Sequence, residues 1–186
     1  VNPGGTLVNV TLPEYRSLRP GAAPDLPVRL LEPQDRLFRL TLASDRDTIA
    51  LDTVMFRAEQ QRREGDYIEQ SLVSTSSSVP LGLTYRFHAD SFVVRLDGAI
   101  GGPLLEGRRL LVTLPARIRS QEADVGDDTR HLAIAYDNRS GDVENVPFPD
   151  LDTLVARVDT GAIRWVSARN KYFVVAVIPV GPQSAF

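Results

Sequence analysis

The sequence predicts an all-β chain, an antiparallel sandwich of short strands. Three observations carry this: apolar residues alternate with a period of two in most ordered stretches, turn-forming clusters recur at about ten-residue intervals, and almost no segment has helical periodicity. Strand-turn-strand order favours antiparallel pairing. At 186 residues with 42% apolar composition, one β domain over residues 1–186 with a sizeable core is expected.

Taken in order, Gly4 and Gly5 lead into Thr6–Leu12, where Val8, Val10 and Leu12 share one face of a predicted strand. Pro13, Pro20, Pro24 and Pro27 punctuate a polar loop, since proline lacks the donor a central strand needs. Val28–Leu31 and Leu37–Leu42 read as strands, with Phe38, Leu40 and Leu42 facing one way. A strand is placed near Thr53–Phe56 and another over Tyr67–Ser74, followed by the serine-rich connection Ser74–Ser78.

Val79 to His88 has the strictest alternation, setting Val79, Leu81, Leu83, Tyr85 and Phe87 on one face. Ala89-Asp90 turns into Ser91–Leu96 to complete a hairpin. Gly98–Gly107 is a glycine-rich turn, Arg109–Leu114 a strand, and Arg117–Arg130 a polar, acidic connection. Leu132–Tyr136 and Val143–Val146 flank Asp137–Asp142, a hairpin-turn composition. Phe148–Leu154 holds one helical turn. Gly161–Pro179 is then read as a hairpin in the middle of a sheet, carrying the single Trp165, the single Lys171 and the run Tyr172–Ile178. Trp165, Tyr172 and Phe173 are assigned to the core, because aromatic rings supply large apolar area.

Charge and chemistry exclude more than they assign. A net charge of -3 and scattered arginines leave no basic field for a phosphate backbone, so nucleic acid is not expected as a partner. The absence of cysteine removes disulfides and thiolate chemistry. No run of about 18 apolar residues stands out as a membrane span. His88 and His131 are the two histidines, without the spacing of a zinc site. The acidic group Glu122, Asp124, Asp127 and Asp128 has the ligand type of a calcium site but lacks its loop spacing, so no metal is assigned. Gly98–Pro103 matches a phosphate loop only in glycine content. No catalytic residue and no cofactor are assigned.

The stretch Gly161–Phe173, closing with Ala176–Pro179, resembles the signature of the large periplasmic domain of the YidC/Oxa1/Alb3 family of membrane protein insertases: a Gly, a Trp-Val-Ala, a polar or basic pair, Tyr-Phe, then an apolar strand ending in Pro. Ser167 stands where the family commonly has Ala. Gly4–Leu7 with Leu12 and Tyr15 looks like that domain's first strand, Val28–Leu31 like its second, and Ala135-Tyr136-Asp137 before Val143 is similar in order, so the likeness spans nearly the whole chain.

The resemblance implies a β-supersandwich with a galactose-mutarotase-like outline, held on the periplasmic side of the bacterial inner membrane as a fragment of a larger membrane protein. It implies no enzyme, since the family's insertase groove lies in transmembrane helices. It also implies contacts with the Sec translocon, its accessory subunits and nascent membrane proteins, reaching the membrane only through segments outside this chain. The family's domain continues past Pro179 with further strands and a helix, which predicts an unpaired edge near Tyr172–Ile178. A carbohydrate-binding or mutarotase-like module is the alternative; it requires His88 or His131 beside a carboxylate in a cleft.

Overall fold

A computed structural model of the chain describes residues 2–32, 34–115, 118–138, 142–148 and 163–180. Among these the strands are β1 (Asn2–Pro3), β2 (Thr11–Arg16), β3 (Pro27–Arg29), β4 (Arg39–Ala43), β5 (Thr48–Ala50), β6 (Met55–Ala58), β7 (Arg62–Glu64), β8 (Tyr67–Ser74), β9 (Leu81–His88), β10 (Val94–Ile100), β11 (Arg109–Thr113), β12 (Ala133–Asn138), β13 (Val143–Pro147), β14 (Ile163–Arg169) and β15 (Val174–Val177). Short 3-10 turns cover Leu51–Thr53 and Gly102–Leu105, and one helix, α1, covers Val125–Arg130. Every described strand pair is antiparallel, so the chain is all-β with antiparallel sheets, as its periodicity predicts.

The chain divides into two compact units, Val1–Leu7 with Phe38–Thr113, and Val8–Leu37 with Leu114–Phe186. In the first, a six-stranded sheet runs β1-β6-β8-β9-β10 with β7 beside β8, and a three-stranded sheet runs β11-β4-β5. The alternation of Val79–Phe87 becomes burial: Val79, Leu81, Leu83 and Tyr85 are buried, and Leu72 of β8 lies directly opposite Leu83. Phe38, Leu40 and Leu42 are buried on one face of the β4 segment, and Phe56 is 0% exposed.

Gly5 shows how tightly this core closes. Its φ of +55° is costly for other residues, and a Cβ there would lie 2.7 Å from Leu83 Cδ1. The buried Tyr85 hydroxyl donates to the Gly5 carbonyl, and its own pKa is pushed up by burial. Only glycine fits both demands.

The second unit holds a four-stranded sheet in the order β13-β12-β14-β15 and the pair β2-β3. Its apolar cluster is Val28, Leu30 and Ile118, with Val10, Leu12, Phe173 and Val175 packed against it. The Tyr15 ring meets Phe173 edge-on at 6.2 Å.

Several boundaries differ from the sequence reading. The first long strand is Thr11–Arg16 and not Thr6–Leu12, because Asn9 takes φ 54° and breaks the extended run before Thr11. Pro13 lies inside this strand, at a register break between Leu12 and Arg16 where no ladder donor is needed. The strand expected near Thr53–Phe56 is displaced to Met55–Ala58 by the 3-10 turn before it. Gly98–Ile100 belongs to β10, so the predicted glycine turn starts later. The polar connection Arg117–Arg130 ends in α1, a missed helix. The helical turn at Phe148–Leu154 falls mostly outside the described residues. The hairpin at Ile163–Val177 is present, but β15 is an edge strand among the described residues, with β14 inside the sheet.

Candidate interaction surface

The Trp-to-Pro hairpin is set by one asparagine. Asn170 is 4% exposed, and its Oδ1 accepts the amides of Tyr172 at 3.1 Å and Phe173 at 2.8 Å, folding the chain into a tight turn. Its Nδ2 donates to Asp128 Oδ2 at 3.4 Å, and the Lys171 amide donates to Asp128 Oδ1 at 3.2 Å. Asp128 is 1% exposed, so these donors offset the cost of burying its carboxylate. Helix α1 presents Asp128 in place because the Asp124 side chain caps it, accepting the Asp127 amide at 2.9 Å.

Asp127, next along α1, accepts a 2.7 Å bond from Lys171 Nζ. That bond holds the Asp127 carboxyl below its usual range and raises the Lys171 ammonium above its own. Three of the four carboxylates of the candidate calcium group are thus spent on structure: Asp124 caps, Asp127 pairs with Lys171, and Asp128 anchors the hairpin turn. Among the described residues no group of three or more His, Asp or Glu side chains is arranged to hold a metal ion.

The three predicted core aromatics separate. Phe173 is partly buried against the apolar cluster and Trp165 is partly buried on β14. Tyr172 is not a core residue: it is 61% exposed, because the Asn170 turn swings it outward, where its ring lies 5.2 Å from Lys171 Nζ. Sequence reasoning took the unbroken run Tyr172–Ile178 as part of a hairpin in the middle of a sheet. The run instead alternates, with Val174 and Ile178 each 62% exposed and Phe173 and Val175 facing the cluster.

The histidines fall in different units. His88 packs edge-on against Tyr67 at 4.8 Å, and its Nδ1 accepts the Asp90 amide. His131 closes α1, its amide donating to the Asp128 carbonyl. A shallow cavity of about 590 Å³ lies beside β5, lined by residues including Thr48, Ile49, Thr53, Met55 and Thr75. Neither histidine and no ionisable side chain lines it. The outer face of the first unit's large sheet carries Glu69, Arg86 and Arg95 in cross-strand register, with Arg86 Nε 2.8 Å from Glu69. That bond raises the Arg86 pKa further. These are partly solvated side chains. What the described surface offers is strand edges and exposed apolar side chains.

A family model described as the YidC periplasmic domain matches residues 2–186. The chain belongs to the YidC periplasmic domain family. Among curated proteins, a membrane protein insertase YidC from Chlorobaculum tepidum is 27% identical over 163 residues, covering 82% of this chain and 28% of that protein. The Chlorobaculum parvum insertase YidC is 25% identical over 186 residues, 95% of this chain and 31% of its own length. The one from Chlorobium phaeovibrioides is 29% identical over 106 residues, 56% of this chain and 18% of the relative. The chain therefore spans less than a third of the length of these relatives. No solved structure matches it. Among the described residues no helix is long and apolar enough to cross a membrane.

Proposed function

We propose that this chain is a non-enzymatic extracytoplasmic domain of a membrane protein insertase, held on the periplasmic side of the inner membrane. In this reading it assists insertion and folding by offering surfaces to the Sec translocon, its accessory subunits or nascent membrane proteins. The observation that supports it is the match of the YidC periplasmic domain family along residues 2–186. The described chemistry is compatible: ionisable groups such as Asp124, Asp127 and Glu69 are engaged in a cap or ion pairs, whereas large apolar residues such as Phe92 at 78% and Val93 at 73% exposure face outward. Exposed apolar side chains are what a contact surface needs.

A photo-crosslinking side chain placed at Phe92, Leu111 or Tyr172 of the parent protein in its native membrane tests this. Adducts with translocon subunits or with a nascent membrane chain are expected. Adducts formed only with periplasmic components unrelated to insertion would overturn the reading.

A further inference from the structure

We infer, resting on the contact role proposed above, that the cavity beside β5 holds an extended, uncharged stretch of another polypeptide, which adds to this edge as a further strand. The ladder fixes which backbone groups are free. The Ser44 amide donates to the Asp47 carbonyl at 2.9 Å, and the register then pairs Ala43 with Thr48, Leu42 with Ile49 and Thr41 with Ala50. Hydrogen-bonded and non-hydrogen-bonded pairs alternate along an antiparallel ladder. Ile49 therefore turns its amide and carbonyl to β4, while Thr48 and Ala50 turn theirs away from it. The Ala50 carbonyl accepts the Thr53 hydroxyl at 2.9 Å. The Thr48 amide, the Thr48 carbonyl and the Ala50 amide have no partner among the described residues.

This edge and its cavity lie inside the unbroken described stretch 34–115, within one compact unit. The cavity volume of about 590 Å³ is that of a ligand pocket. Its walls complement a peptide backbone. Thr53 and Thr75 spend their hydroxyl protons on the Ala50 and Met55 carbonyls, at 2.9 and 3.1 Å, so each retains an oxygen lone pair for a ligand donor. With the outward groups of β5 they make a mixed set of donors and acceptors. Val54, Val79 and Met55 supply the apolar wall, and a methionine adapts to side chains of differing shape.

A charged ligand would find no counter-ion there, because no ionisable side chain lines the cavity. No aromatic ring lines it either, so a sugar would have no face to stack on. An added strand uses what is present: main-chain bonds supply the affinity, and every second side chain enters the pocket. Recognition through the main chain suits segments of differing sequence, as nascent membrane chains are.

The probe is a hexapeptide of alternating threonine and valine, acetylated and amidated so that it carries no charge. With the 186-residue chain it is expected to slow hydrogen exchange at the Thr48 and Ala50 amides and to shift their NMR resonances. Ala50→Pro is the matching variant: Ala50 has φ -75°, which proline adopts, and only its outward amide is lost. A50P is expected to melt at or slightly above the wild-type temperature and to bind the peptide roughly tenfold more weakly. The same peptide N-methylated at every residue, which needs no change in the protein, is expected to lose binding. Thr48 and Ala50 amides left unmoved by millimolar peptide would overturn the inference, and so would an A50P chain that binds as tightly as wild type. Displacement of the peptide by an uncharged oligosaccharide, maltohexaose, would assign the cavity to sugars and overturn it. Thr48 and Ala50 amides already protected in the parent protein, with no peptide added, would show the edge covered by its own polypeptide and overturn it as well. Each of these outcomes leaves the proposed contact role standing, since crosslinks from Phe92, Leu111 and Tyr172 test that role separately.

Discussion

Replacing Asn170 by Ala removes the residue that ties the hairpin turn to α1. Three hydrogen bonds disappear: those from the Tyr172 and Phe173 amides, and the one given to the buried Asp128 carboxylate. At about 1 kcal/mol for each bond, and somewhat more where a charged group loses a donor, the cost is about 2–4 kcal/mol. For a chain of this size that lowers the melting temperature by about 5–12 °C. Urea unfolding followed by the fluorescence of Trp165, which lies on the adjoining strand β14, reads this unit directly. Asn170→Asp sharpens the test, because it keeps the oxygen that accepts both amides but sets a second carboxylate against Asp128. Like charge raises the folded-state pKa of such a pair, so the destabilisation is present in full near neutral pH and is relieved as the pH falls through that raised value. The ranking expected is wild type above both variants, with N170D recovering on acidification and N170A not. An N170A variant within about 0.5 kcal/mol of wild type, the range of ordinary surface substitutions, would refute the clasp.

Phe56→Ala, at a position 0% exposed, should cost about 3–5 kcal/mol in denaturant unfolding, since the cavity is walled by strand residues that cannot collapse. Gly5→Ala should destabilise by about 1–3 kcal/mol through its left-handed φ and the Leu83 contact, and circular dichroism melts would show it. Tyr172→Ser should change stability by less than about 0.5 kcal/mol, the opposite of what a core tyrosine would give. The depressed Asp127 carboxyl contributes stability present above its usual pKa of 3.8 and lost as pH falls through its lower folded value. Lys171→Met should therefore flatten that acid-side loss in a pH series of urea midpoints.

Much of the first unit was legible because its strands have one wet face. Tyr67–Ser74 coincides with β8, and the alternation from Val79 points at residues that are buried. Periodicity fixes a face wherever burial is one-sided. It fails where that condition lapses. The run Tyr172–Ile178 is apolar at every position, so it cannot distinguish a central strand from an edge, and Tyr172 was misplaced accordingly. Helix α1 has six residues, too few for a helical period to emerge. Its one signal was Asp124 preceding Gly126, Asp127 and Asp128, an N-cap pattern that also reads as an acidic loop. The clasp between Asp128 and Asn170 was hidden for a different reason. The two residues are 42 positions apart, and polar residues at such separation carry no pattern that announces their contact. The resemblance carried by the Trp-to-Pro stretch supplied the family, which no composition or spacing could have supplied.

On the proposed function, this chain lies on the periplasmic face of the membrane and works by contact. A single Phe92→Cys substitution in the parent protein, exposed to a membrane-impermeant maleimide in cells whose outer membrane alone has been made leaky, tests that placement most directly. Labelling above that of the unsubstituted protein, with the inner membrane intact, is the predicted result. Labelling that appears only after the inner membrane is broken would contradict it.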